Sequence, residues 1–558
     1  MMRIIFILTI LFFGIPLIAL NAQKAGIYLA FVKDKNEMEA LLATPERYLS
    51  PGAILRKRQR SVAIDFRDLP VSDIYKNQLI SSGIHLISIS KWINAFCVEI
   101  NNETEWTKLQ NLDFINSIQR LGSTPDTSSL SPIHKWTSEE QQYAKYILNT
   151  LDYGAAFNQI EMIGADDLHV YGHRAQDIVI AIFDAGFLAA QDMHCFDALF
   201  ENNRILGTYD LVEGDADVYD HHFHGTSVWS CIAGILYNDS IVYKGTGFDA
   251  SFYLFRTEDD VTETPLEMMN WMIAAEKADS LGVDIINSSL GYSEFDDSLD
   301  NFTYADMNGD KALITIAADI AAAKGILVVT SAGNEGNDPW HYITAPADAD
   351  SVLTVGAVDS LRQYAFFSSQ GPSADGRIKP DVATRGLKAI VCTSDNGIYE
   401  HNGTSLSSPI MAGAAACLWG AFPEKTNMEI LYAIQQSASQ YSSPDHKLGY
   451  GIPDMGKAYT LLSGESLYRF DEDLRVSFFP NPFYNELSVY YFTDKETTFD
   501  LLLSDLSGRV LYSATVNEDT YRYFQLPVSI TQNIHPGMYL LQFHSPQFRK
   551  SYKLMKAR

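Results

Sequence analysis

The stretch IVIAIFDAG, residues 178–186, decides the fold. Ile178 to Phe183 is apolar throughout and lacks the alternation of a strand with one wet face, so both faces of this strand must be covered. The run ends at Asp184 and turns at Ala185-Gly186, which delivers a carboxylate to the edge of a buried sheet. Phe252–Phe255, Val283–Asn287, Ile326–Thr330 and Val352–Val358 are further short apolar runs. Helical patterns fill the intervals, among them Pro265 to Leu281, whose Met268, Met269 and Trp271 are expected in the core. Strands alternating with helices over residues 149–463 predict a three-layer α/β/α domain around a parallel sheet. In such sheets the chemistry lies beyond the carboxyl ends of the strands, and Asp184 and Asn334 both fall just past such ends.

The remainder of the 558 residues is too long to belong to the same core. Residues 1–22 read as an export signal: Arg3 is basic, Ile4 to Leu20 is almost wholly apolar, and Ala22 offers a small cleavage residue. A membrane anchor is the alternative reading of that run. Residues 23–122 mix strands (Ile27–Val32, Ala95–Ile100) with helices (Val71–Ser82, Glu103–Leu112), which predicts a small α+β domain. Residues 123–148 begin with the Ser/Thr/Pro-rich Ser123 to Gln142 and read as an exposed linker where proteolytic nicking concentrates. From 476 to 558 helical periodicity disappears. The runs Glu486–Phe492, Phe499–Asp505, Arg509–Val516 and Met538–His544, separated by turns, predict a small β-sandwich. A net charge of −28 excludes a nucleic-acid binder, which needs a basic footprint. The five cysteines are scattered and form no staple framework; buried free thiols are expected.

Three glycine-flanked motifs carry the chemistry. Asp184 needs a partner in its buried setting, and an imidazole is the useful one, because the acid then fixes its tautomer. His224 opens HGTSVWSCIAGIL, where Gly225 permits close backbone approach. Ser405 lies in NGTSLSSPIMAGAAACLWG at the start of a helix, with its own N–H free and the positive end of the dipole beneath it. Pro409 breaks a helix rule beside that serine, which marks the site as functional rather than an ordinary cap. Asn334, between Gly333 and Gly336, could donate a side-chain amide to an oxyanion. His221 and His222, with Asp215, Asp217 and Asp220, suggest a metal site, but the spacing of a ligand set is missing, so no metal is expected.

Taken together, these motifs resemble the subtilisin-like serine proteases over roughly Asp177 to Gly456. The order Asp184, His224, Ser405 matches, with the asparagine loop between His and Ser; FSSQGP (Phe367 to Pro372) and GRIKPDV (Gly376 to Val382) also look like the family's core. The resemblance implies that Asp184 orients, His224 is general base then general acid, and Ser405 attacks. Asn334 and the Ser405 N–H would hold the oxyanion. Ser289-Leu290-Gly291 looks like the edge that pairs with substrate backbone, and Gly336 to Asp350, with Trp340 and Tyr342, like the segment that shapes the specificity pocket. Ala185 departs from the usual hydroxyl residue after the acid, at a cost of roughly 1.5–3 kcal/mol at most, so tuning rather than loss is expected. Ser407-Ser408 before the proline is a milder change.

By the same resemblance residues 26–121 look like an inhibitory propeptide. Pro480-Asn481-Pro482-Phe483, Asp505-Leu506-Ser507-Gly508-Arg509 and Gly537-Met538-Tyr539-Leu540 resemble the sorting domain of type IX secretion in Bacteroidetes. The expected protein is a secreted serine endopeptidase zymogen. Its expected partners are peptide or protein substrates, its own propeptide and the secretion machinery. No cofactor is expected, and Asp306 to Asp310 has a calcium-loop flavour without the distal glutamate, so a plain turn is expected and a structural calcium ion has no support. The competing expectations are a surface adhesin on the same scaffold and an esterase; the missing G-x-S-x-G elbow speaks against the latter.

Overall fold

The computed structural model describes residues 25–36, 38–124, 141–142, 153–237 and 242–464 and, with short breaks, 475–557. The signal segment expected over 1–22 and most of the linker expected over 123–148 lie outside the described residues.

The central sheet has seven strands, all paired in parallel. Across the sheet they run Val382–Arg385, Leu353–Val358, Leu327–Ser331, Ile285–Ser288, Val179–Asp184, Ser251–Arg256 and Ile205–Asp210. The apolar run that opened the sequence explains itself here. Ile180 and Ile182 pack with Ile410 and Leu418 of the helix Thr404–Ala421. Ala181 and Phe183 point the other way, into a core with Met269 and Trp271 of the helix Pro265–Leu281. Alternation is present, but both faces are dry, so it leaves no trace in polarity. Strand order reverses beside Val179–Asp184, whose neighbours are Ile285–Ser288 and Ser251–Arg256, and a crevice opens beyond the carboxyl ends at such a reversal. The sequence reading named neither terminal strand of the sheet: Ile205–Asp210 is largely half-exposed and Val382–Arg385 has four residues.

Residues 26–122 form a four-stranded antiparallel sheet in the order His85–Ser90, Ala95–Ile100, Gly26–Val32, Ile115–Gly122. One face makes its own core from Tyr28, Val98 and Ile100 with Leu79 and Leu109 of the helices Asp73–Ser81 and Glu103–Gln110. The other face, with Ile27, Leu29 and Cys97, shares the core of Pro265–Leu281. A helix the sequence reading did not name, Pro51–Gln59, docks on the same partner through charge rather than through an apolar stripe. Lys57 Nζ lies 2.8 Å from Asp279, Arg56 also bonds Asp279, and Arg60 meets Asp284 at 2.7 Å. Lys324 answers from the central domain with Asp65 at 2.6 Å and Asp68 at 2.7 Å.

The C-terminal unit stacks two antiparallel sheets. Phe483, Val489, Leu501, Leu503, Leu541 and Phe543 are buried together in its core. One helical turn, Val528–Thr531, interrupts what was expected to be all β. Among the described residues no helix is long and apolar enough to cross a membrane. All five cysteines are buried free thiols.

Candidate active site

Asp184 ends its strand fully buried, and its Oδ1 accepts from the Ala185 N–H at 2.8 Å and from His224 Nδ1 at 2.8 Å. A ring nitrogen facing a carboxylate is the protonated one, which leaves Nε2 as the acceptor of the imidazole. His224 is the first residue of the helix His224–Ala233. That helix approaches the Asp184 strand so closely that a Cβ on Gly225 would sit 2.3 Å from the Gly186 carbonyl and 2.9 Å from Asp184 Cβ. Oδ2 of Asp184 finds no partner among the described residues, and the methyl of Ala185 offers none.

Ser405 is the second residue of Thr404–Ala421 and lines the same cleft as His224. The preceding Gly403 has φ 155°, and a Cβ there would meet Ser405 Oγ at 2.7 Å, so glycine both makes the turn and leaves room for the hydroxyl. Asn334 sits at the rim. Its Oδ1 accepts from the Thr404 N–H at 2.9 Å and the Thr404 hydroxyl at 3.0 Å. A backbone N–H can only donate, so the amide oxygen is fixed toward Thr404 and the NH₂ is the end left for the cleft.

Pro409 explains Ser289. Proline has no N–H, so the carbonyl four residues earlier, that of Ser405, loses its helical donor. Ser289 Oγ supplies it at 2.8 Å from just past the end of the strand Ile285–Ser288. Asn287 extends the tie: its Nδ2 donates to Ser289 Oγ at 3.1 Å, and its Oδ1 accepts from Ser408 Oγ at 2.8 Å. The side chain of Ser289, which the sequence reading assigned to the substrate edge, therefore faces the helix of Ser405. Leu290 and Gly291 continue along the cleft wall. The sequence reading noted Ser408 only as part of the pair before the proline and Asn287 only as the end of an apolar run, although the carbonyl left unpaired under Pro409 was a signal that a donor network had to exist.

The cleft has a volume of about 650 Å³, and its lining includes Glu258, Glu263, Glu294, Glu335 and Asp338 as well as Trp340 and Thr344. Tyr342 turns away and stacks on Tyr304 at 4.0 Å. Burial pushes the Glu335 carboxyl up from its ordinary range, against the hydrogen bond from Ser369 Oγ at 2.7 Å. The histidines weighed as metal ligands have other partners: His222 Nδ1 accepts the His224 N–H at 3.2 Å, and His221 Nε2 lies 3.0 Å from the Arg256 guanidinium. Glu258, Glu263 and Glu267 bring carboxylate oxygens within 4.8 Å of one another. Tyr292 donates to Glu258, and the N–H groups of Asp259 and Thr264 donate to Glu267. Asp310 N donates to Asn308 Oδ1 at 3.0 Å in the plain turn expected there.

Comparison with known proteins adds three family matches: the subtilase family over residues 175–451, a Bacteroidota peptidase S8 propeptide domain over 27–134, and a secretion system C-terminal sorting domain over 477–557. Subtilisin E of Bacillus subtilis (strain 168) is 31% identical over 330 residues, covering 58% of this chain and 76% of that protein. The subtilisin of Bacillus pumilus is 31% identical over 288 residues, covering 51% and 92%. A thermostable alkaline protease of Halalkalibacterium halodurans is 28% identical over 312 residues, covering 56% and 74%.

Proposed function

The chain belongs to the subtilase family, and we propose on that footing that Ser405 is the nucleophile of a serine endopeptidase, with His224 as its base and Asp184 as the acid that holds the base. The enzyme is made as a zymogen and exported through its C-terminal sorting domain, to be secreted or carried at the cell surface. The observation that carries the assignment of roles is the 2.8 Å bond from His224 to a fully buried carboxylate, in one cleft with a serine at a helix start.

In the proposed course, His224 Nε2 takes the proton of the Ser405 hydroxyl as Oγ attacks the peptide carbonyl, and Asp184 stabilises the imidazolium. The oxyanion is held by the Ser405 N–H and the amide of Asn334. The imidazolium then gives its proton to the leaving amine, and water repeats the sequence on the acyl-enzyme. Every role falls to a side chain or amide of the chain, so the reaction needs no cofactor. The three clustered glutamates are given no calcium role, because Glu258 and Glu267 already accept donors from the protein. Residues 289–291 are the proposed edge for substrate backbone, which gives affinity without side-chain selection.

The domain division follows the same reading: residues 23–122 as propeptide, 123–148 as the linker to be cut, 149–463 as the peptidase and 476–558 as the sorting unit. The propeptide is the proposed inhibitor. A serine-directed phosphonate should label Ser405, and Ser405→Ala should abolish hydrolysis of casein; label on another residue refutes the assignment.

A further inference from the structure

We propose that Asp297 and Asp300 form an exosite of the matured peptidase, which takes an arginine side chain, and the amide N–H three residues after it, from substrate upstream of the cleaved bond. This rests on the reading of the chain as a peptidase whose linker, residues 123–148, is cut.

The structure shows the two acids holding such a segment, the tail of the domain 26–122. Arg120 Nη1 donates to Asp300 Oδ1 at 2.5 Å, and the Ser123 N–H donates to Asp300 Oδ2 at 2.8 Å. Arg120 Nη2 donates to Ser123 Oγ at 2.7 Å, and that hydroxyl donates in turn to Asp297. The Ser123 hydroxyl and the Leu299 N–H hold the Asp297 carboxyl below its ordinary range. Between Arg120 and Ser123 the chain is pressed flat: a Cβ on Gly122 would lie 2.7 Å from Pro265 Cγ and 3.1 Å from Asp300 Oδ2. The segment is thus read at three points, a guanidinium, a residue without a side chain and an N–H.

The Asp300 side chain is 3% exposed, and among the described residues its carboxylate accepts from Arg120 and Ser123 alone. The peptidase itself brings it no donor. A carboxylate in that setting is stabilised by whatever chain supplies the missing cation and amide. Departure of the domain 26–122 opens the place, and it opens beside the cleft. Phe295 and Asn301, which flank the two acids in the chain, line the cleft with Ser293 and Glu294. Residues 120–123 precede the linker, so the segment they stand for lies upstream of the cut.

The place is also preformed. Phe295 is buried and stacks on Tyr292 at 6.1 Å, and its N–H donates to Asn301 Oδ1 at 2.6 Å. The Asp296 N–H donates to the Glu263 carbonyl at 2.9 Å. None of these ties involves the domain 26–122, so a substrate meets a loop that needs little ordering. Glu258, Glu263 and Glu294 on the adjoining cleft wall repel an anion from the same place and favour a cation.

The test uses enzyme matured from the full chain and quenched peptides spanning residues 116–150, with Arg120 kept or replaced by Gln or Glu. The parent peptide should exceed Arg120→Gln in kcat/KM by about tenfold or more, the scale of one charge-assisted hydrogen bond. The difference should lie in KM, because a contact remote from the reacting bond is made equally before and in the transition state. Gly122→Leu in the peptide should weaken it by a similar factor through the clash with Pro265. Asp300→Asn in the enzyme should bring the parent-to-Gln ratio to within about twofold of unity, since the two changes remove one interaction. Asp297→Asn should lower the ratio in the same direction should the Asp300 variant fail to fold. Equal rates for the Arg, Gln and Glu peptides overturn the proposal, as does a ratio that Asp300→Asn leaves intact. Phosphonate labelling separates the two readings: no label on Ser405 sinks the nucleophile assignment, whereas label on Ser405 with equal rates for the three peptides sinks only the exosite.

Discussion

Asp184 uses one carboxylate oxygen for two donors and leaves the other unpartnered among the described residues. Its value to the site thus rests on a single bond to His224. Asp184→Asn should lower kcat by about 10⁴, because the amide favours the wrong tautomer of the imidazole. Asn334→Ala should cost about 10²–10³ with KM little changed, the scale of losing one oxyanion donor. Steady-state kinetics on one peptide checks both. Gly225→Ala is a different kind of lesion. Its methyl would overlap the Gly186 carbonyl, so overpacking of about 1–3 kcal/mol is expected, read as a lowered urea midpoint. Asp184, His224, Asn334 and Ser405 were readable as candidates because each sits within two residues of a glycine where an apolar run or a helix begins or ends. The tie made by Ser289 was not: nothing in INSSLG marks a hydroxyl that serves the Ser405 carbonyl, 116 positions away in the chain.

At the scale of elements, the helix of Ser405 is completed by a hydroxyl from the segment just after another strand. Ser289→Ala leaves the Ser405 carbonyl without a donor, and a buried hydrogen bond of that kind is worth about 1 kcal/mol. A fall in kcat of about tenfold with unchanged substrate affinity is expected. Ser408→Ala should act in the same direction through Asn287, and the double variant should fall short of the product of the two, because they share one network. The buried strands of the sheet were legible from their apolar runs. The helix Pro51–Gln59 was not, because its Arg56, Lys57 and Arg58 read as solvated charge. Arg56 and Lys57 are buried, and the carboxylate they share, Asp279, lies 222 or more positions away. Sequence patterns report apolar faces, and an element that docks through ion pairs shows none. The edge strand Ile205–Asp210 escaped for a related reason: with little burial it has little pattern.

For the whole molecule, the junction between residues 26–122 and the central domain is both apolar and ionic. Asp279→Asn would strand Arg56 without a carboxylate in a buried place, while Lys57 keeps Asp68 at 3.0 Å, and breaking one partner of a buried pair costs about 3–5 kcal/mol. Urea unfolding of the Ser405→Ala zymogen should show that loss. Acid tests the same junction from another side. Burial alone would raise Asp68, but Lys57 and Lys324 hold it down to about 2. A lowered carboxylate gives its full contribution above the ordinary value of 3.8 and loses it only as pH falls toward 2. The contact through Asp68 should therefore survive at pH 5, measured by co-elution of the propeptide with the peptidase after linker cleavage. Glu276 belongs to the same face: its oxygens accept from the N–H groups of Lys91 and Trp92 at 2.9 and 3.0 Å. In the proposed maturation, shedding the first domain takes the cationic and amide companions of Glu276 and Asp279 and leaves Asp284, among the described residues, only the Val179 N–H at 2.8 Å, so all three become hydrated. Rebinding would have to strip that water from three anions at once, so the proposed maturation works as a ratchet whose pawl is solvent.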